Sequence, residues 1–124
     1  MNTDVKSGIY SLLTSSSALV ALLGGPRVYQ LAAPKADEFP RITFFEIDNA
    51  DSAWADDEAY ASDVSVQIDV WSKGSTSAIA GEVDRLMKSA EWGRTSAADL
   101  YETDTKVFHK AMRYRISVLN NEGS

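Results

Sequence analysis

In DVSVQIDVWSKGSTSAIAGEVDRLMKSAEW, residues 63–92, apolar residues first recur at every second position and then at every third or fourth. Val64, Val66, Ile68 and Val70 point to one side of an extended chain, and Ser65, Gln67, Asp69 and Trp71 to the other. That is a strand with one packed face. Ser72, Lys73 and Gly74 make the turn, and Ser75, Thr76 and Ser77 all offer oxygens that cap a helix. Ile79, Val83, Leu86, Met87 and Ala90 then form one helical stripe, with Glu82, Asp84, Arg85 and Lys88 outside it. Trp92-Gly93 closes the unit, and Trp92 is expected in the core.

Upstream, Val5, Ile9, Leu12 and Leu13 form a first helical stripe. Ser17 is placed to cap a second short helix, 18–23, which Gly24-Gly25-Pro26 ends. Residues 27–31 are a short strand candidate. RITFFEI, residues 41–47, is rich in aromatic and β-branched residues and reads as a central strand covered on both sides, or one bulged between Phe44 and Phe45. Residues 48–60 read as an acidic loop. Downstream, 97–102 is a weak strand and 107–119 a long final one, with Phe108, Met112, Tyr114, Ile116 and Val118 on one face. The tail, 120–124, is expected to be flexible.

The order is α-α-β-β-β-α-β-β. It predicts one α+β domain over residues 1–124, with a mainly antiparallel sheet of four to five strands, an N-terminal helical segment and one long helix packed on it. A chain of 124 residues supports one core.

Composition narrows function. With no cysteine there is no disulfide framework, thiolate metal site or thiol nucleophile. A net charge of −6 argues against wrapping of nucleic acid by the whole surface. The longest apolar run, 18–23, is far shorter than a membrane span, and MNTDVKSG has no secretory pattern. The single histidine, His109, has no nucleophile-elbow motif to serve. Gly24-Gly25-Pro26 lacks the Lys-Ser/Thr of a phosphate cradle, and the acids of 48–58 lack the spacing of a calcium loop. Asp69 and Asp84 are single carboxylates with no partner visible in the sequence. No enzyme activity, cofactor or metal is expected.

Charge is unevenly spread. Seven acids and no base fall between Glu46 and Asp63, and four bases and no acid between Lys106 and Arg115. Either both are solvated segments, or they are complementary faces that meet between copies. Trp54 in the acidic segment and Trp71 on a polar strand face are apolar groups in polar settings. Each marks a contact surface or folds back on its own core. The candidate interface is therefore Asp51, Trp54, Asp56, Asp57, Glu58, Trp71, Arg113 and Arg115.

ALVALLGGPRVYQLAAPKADEFPRITF, residues 18–44, with the strand 64–71, the helix 78–90 and the strand 107–119, resembles tail-completion or tail-terminator proteins of long-tailed bacteriophages and gene-transfer agents. The resemblance implies a structural protein at the tail–neck junction of the virion, made in the host cytoplasm. It implies a ring, commonly of six copies, that caps the tail tube, ends its polymerisation and joins the head connector. Its partners would be itself, the tail tube protein and connector or neck proteins, with no membrane. DNA would pass through without specific binding, and acids lining the hole would keep it from sticking. The alternatives are another neck or head-completion protein, or a small ligand- or nucleic-acid-binding module.

Overall fold

The computed structural model describes the backbone of residues 5–55 and 58–119 and, within these, the side chains of 6–51 and 61–118. Helix α1 spans Val5–Thr14 and α2 spans Ser17–Leu23. Strands β1 (Val28–Gln30), β2 (Arg41–Ala55) and β3 (Glu58–Ser72) follow. Helix α3 (Ser77–Ser89) leads to β4 (Gly93–Glu102) and β5 (Val107–Leu119). The tail 120–124 lies outside the described residues.

The strands form one sheet in the order β1-β2-β3-β5-β4. Three pairings are antiparallel and β1–β2 is parallel, so the sheet is mixed. The last strand, β5, inserts between β3 and β4, so β3 and β4 run the same way and α3 makes the crossover between them. The alternation in β3 does what its pattern predicts: Val64, Val66, Ile68 and Val70 are buried toward the helices. Ile42 and Phe44 of β2 and Met112 and Tyr114 of β5 lie beside them in register. Ile9, Leu13, Leu19, Leu23, Val83, Met87 and Trp92 cover this face from above. Burying each such side chain is worth about 1.5–3 kcal/mol, so the helix-covered face is where the fold is held.

Three local expectations change. The cap of α2 is Ser16, not Ser17: its Oγ accepts the Leu19 N–H at 3.1 Å. Gly24 takes φ 79 and closes the same helix as its spacing predicts. The chain leaves α3 through Glu91, at φ 70, rather than through Gly93. In β2 the register break falls at Ile47, between Glu46 and Asp48, not between Phe44 and Phe45. Phe44 faces the core opposite Ile68, Phe45 takes the other face opposite Gln67, and the break leaves Ile47 exposed.

The largest difference concerns residues 48–60, expected to be a loop. Residues 48–55 and 58–60 continue the β2–β3 hairpin, with Asp48 opposite Ser65 and Ala55 opposite Glu58. These residues have no apolar stripe, so nothing in their pattern signals a strand. Main-chain pairing to the preceding, well-packed part of the same hairpin extends the ladder instead.

Candidate assembly interface

The helices occupy one face of the sheet, and the opposite face carries a polar network. Asp69, only 4% exposed, lies next to Thr43 in register and accepts from Gln67 Nε2 at 2.8 Å. Its carboxylate also meets His109 Nε2 at 2.7 Å. The imidazole stacks on Trp71, with centroids 3.7 Å apart and planes within 12°. Trp71 Nε1 in turn donates to Thr43 Oγ1 at 2.9 Å. Arg113 Nε donates to Gln67 Oε1 at 3.0 Å.

This arrangement revises several sequence expectations. Asp69 has His109 as its partner, and the two come together only because β3 and β5 are neighbours in register. Asp84 is likewise partnered: it accepts from Tyr114 OH at 2.8 Å and pairs with Lys88 at 2.7 Å and Arg94 at 3.6 Å. Burial pushes the Asp84 carboxyl up, but the bonds from Lys88 and Tyr114 and the charge of Arg94 outweigh it, and it ends below the ordinary carboxylate range. Burial first, then the Asp84 bond, pushes the Tyr114 phenol well above its ordinary value. Together they tie α3 to β5.

The candidate interface residues fall into three groups. Trp71 is half-buried, held by its stack on His109 and its bond to Thr43 on the helix-free face. Arg113 and Arg115 share a face, but Arg115 is already ion-paired with Asp63, which also accepts from Ser117 Oγ at 2.5 Å. Arg113 bonds a neutral amide, so no carboxylate among the described residues offsets its charge. Asp51 is exposed on β2. Trp54 pairs by its backbone with Ala59, and its side chain lies outside the described ones. Glu58 opens β3, again without a described side chain, and Asp56 and Asp57 lie outside the described residues.

The sequence predicts a weak strand over 97–102; β4 runs from Gly93 to Glu102, and every one of its residues is exposed. It is held by its ladder to β5 and forms one margin of the sheet. Near its far end the exposed Tyr101 (48%) and Phe108 (43%) form an aromatic pair, with rings 4.7 Å apart, while Leu100 (51%) is exposed on the other face. The other margin is split. Beta-strand β1 covers β2 only from Ile42 to Phe44. Beyond that point β2 runs on to Ala55, and 47–51 are all exposed. A second apolar feature is a groove of about 620 Å³ between α1 and the end of β5, lined by Ile9, Leu12, Trp92, Ile116 and Val118 among others. Among the described residues, no group of His, Asp or Glu is arranged to hold a metal.

Residues 7–119 match the family model described as Tail completion protein gp17. In fold, the chain is similar to a protein chain in the virion of a native gene transfer agent particle, with a TM-score of 0.77 and 19% sequence identity over 96% of this chain and 100% of that one. No curated protein matches the sequence.

Proposed function

Because the chain belongs to the tail completion protein gp17 family, we propose that it closes the end of a phage tail tube as a ring of identical copies. Membership makes it a structural protein of the virion. In this reading the ring stops tube polymerisation on one side and presents the docking surface for the head connector on the other. Its work is shape and contact, with no bond made or broken in a substrate.

The observation that carries this reading is the family match over 7–119, joined to a sheet whose two margins differ in charge. The segment 46–58 holds six acids and no base, while 93–119 holds five bases against three acids. The two segments lie at opposite sides of the sheet. A surface that is acidic at one side and basic at the other favours head-to-tail contacts between copies, the type that closes into rings. Arg113 is the basic residue best placed to act across such a contact. A lumen bordered by acids would also repel passing DNA.

The test is deletion of this chain from the phage that encodes it. Overlong or headless tails are expected, with rings visible at tube ends when the protein is restored. Normal-length, infectious virions without it would end the proposal.

A further inference from the structure

We propose that copies join by main-chain pairing: β4 of one copy adds, antiparallel, to the open run of β2 in the next, so that the sheets form one continuous barrel wall. This inference rests on the ring reading and names the surfaces that make the ring.

Three observations point to these two edges. First, they match in length. Strand β4 is 10 residues long, and β2 has eleven positions, 45–55, beyond its pairing with β1, of which 46–55 suffice for a strand of that length. Exposed, unpaired N–H and C=O groups along such a run are ready to accept a strand. Second, β1 is unsuited to take β4 in its place. Its Val28 N–H is bonded to the Pro26 carbonyl at 2.9 Å and its Gln30 carbonyl to the Ala32 N–H at 2.9 Å. Only three residues long and partly satisfied within its own chain, β1 blunts the first part of that margin and leaves the remainder of β2 open. Third, charge favours the pairing. The β2 margin is wholly acidic and the β4–β5 margin is net basic; within the latter, Asp99 is already offset by Lys110 at 3.3 Å. A second copy of this chain is therefore the occupant.

Strand directions and offsets agree with closure. Strand β2 opposes β3, β3 opposes β5 and β5 opposes β4, so β4 runs opposite to β2. Copies related by rotation about a ring axis keep that sense, which makes the new pairing antiparallel. The open run of β2 lies level with β3 residues 58–66. Strand β4 begins level with Ser65 and runs past Ser72, the β3 partners of Arg115 and Phe108. Joining the two therefore staggers neighbours by about seven residues, roughly 24 Å along the strand, against about 19 Å across four strands. That ratio tilts the strands by roughly 50° from the ring axis, slightly steeper than the 35–45° typical of closed barrels. The helices, as the wider layer, lie outside, and the face bearing Gln67, Arg113 and the Trp71–His109 stack lines the channel.

The absence of cysteine from the chain makes the test clean. Ala50 and Ala98 are both exposed and both lie on the helix-free face. They sit three strands apart within one copy, beyond the reach of an intramolecular disulfide. The full chain carrying Ala50→Cys and Ala98→Cys together is assembled into tails, oxidised and run under denaturing conditions. The pair Asn49→Cys with Ala97→Cys samples the other face and a neighbouring register. The expected result is a ladder of covalent multimers from at least one double variant and only monomer from each single variant. Monomer from both double variants while electron microscopy shows rings overturns the edge pairing and leaves the ring reading standing. Covalent dimer from a single variant shows like edges meeting and overturns it too. No ladder and no rings sink both.

Discussion

The His109 imidazole lies flat against the Trp71 indole, at 3.7 Å between centroids, while its Nε2 meets the buried carboxylate of Asp69 at 2.7 Å. One side chain of β5 thus covers two of β3. His109→Ala is expected to destabilise the fold by about 1–3 kcal/mol, because Asp69 loses a partner where little water reaches it. His109→Phe, which keeps the stack and loses the bond, should recover only part. Urea unfolding of the two variants reads this directly; equal stability to the parent would show that the network contributes nothing.

Tyr114 donates to Asp84 and reaches it from beneath α3. Tyr114→Phe should cost about 1 kcal/mol, since Lys88 and Arg94 remain on the carboxylate. The phenol is held above its ordinary value of 10.0, so the neutral form is favoured in the fold. The associated stability is complete below pH 10 and is lost as pH rises beyond it. Ultraviolet titration of the parent should show one tyrosine that ionises only on alkaline unfolding, and that signal should vanish in Tyr114→Phe.

Ser16 links two helices: its Oγ donates to Glu82 at 2.9 Å while accepting from the Leu19 N–H. The Arg85 bonds first, and then that of Ser16, hold the Glu82 carboxyl down at about 2 from 4.5. A depressed carboxylate stabilises the fold above its unfolded value and ceases to do so as pH falls through the folded one. The stability difference between the parent and Glu82→Gln should therefore be about 1 kcal/mol at neutral pH, limited by the exposure of Arg85. It should fade between pH 4.5 and pH 2. A difference that does not change over that window would show that the charge of Glu82 is immaterial. Ser16→Ala should cost about 1 kcal/mol through the lost cap alone.

Arg113→Glu is the sharper probe of the charged margin. Arg115→Glu would also set two acids against each other at Asp63, confounding stability with assembly. Arg113→Glu is expected to leave the melting temperature of the free chain nearly unchanged. It should reduce ring formation, with the deficit shrinking as salt is raised. Native mass spectrometry at two ionic strengths measures both; an unchanged ring population would remove the charge contribution.

Tyr101→Ser with Phe108→Ser tests the exposed aromatic pair beside β4. Neither side chain belongs to the core, so stability should shift by less than about 1 kcal/mol. Ring assembly should weaken if the cluster is covered there by the next copy. Unchanged assembly would place the pair at another contact of the virion or leave it in solvent.

The sequence by itself determined the elements with strong periodicity. The 2-residue period of 64–70 and the helical stripe of 79–90 each state which face is buried, because burial of one face is what selects those residues. The helix stop at Gly24 was legible for a similar reason: a left-handed residue is cheapest as glycine. The order of strands in the sheet was not legible. Nothing in 107–119 says that it inserts between β3 and β4, and only that insertion sets His109 beside Asp69 and Trp71, and Tyr114 beneath Asp84. The strand at 48–55 and the start of β4, 93–96, were hidden too. The side chains of 48–51 and of 93–102 face solvent on an isolated copy, so selection on the core leaves no pattern in them. Pairing of backbone groups, which every residue carries alike, decides such strands, and only the tertiary structure shows where those groups meet.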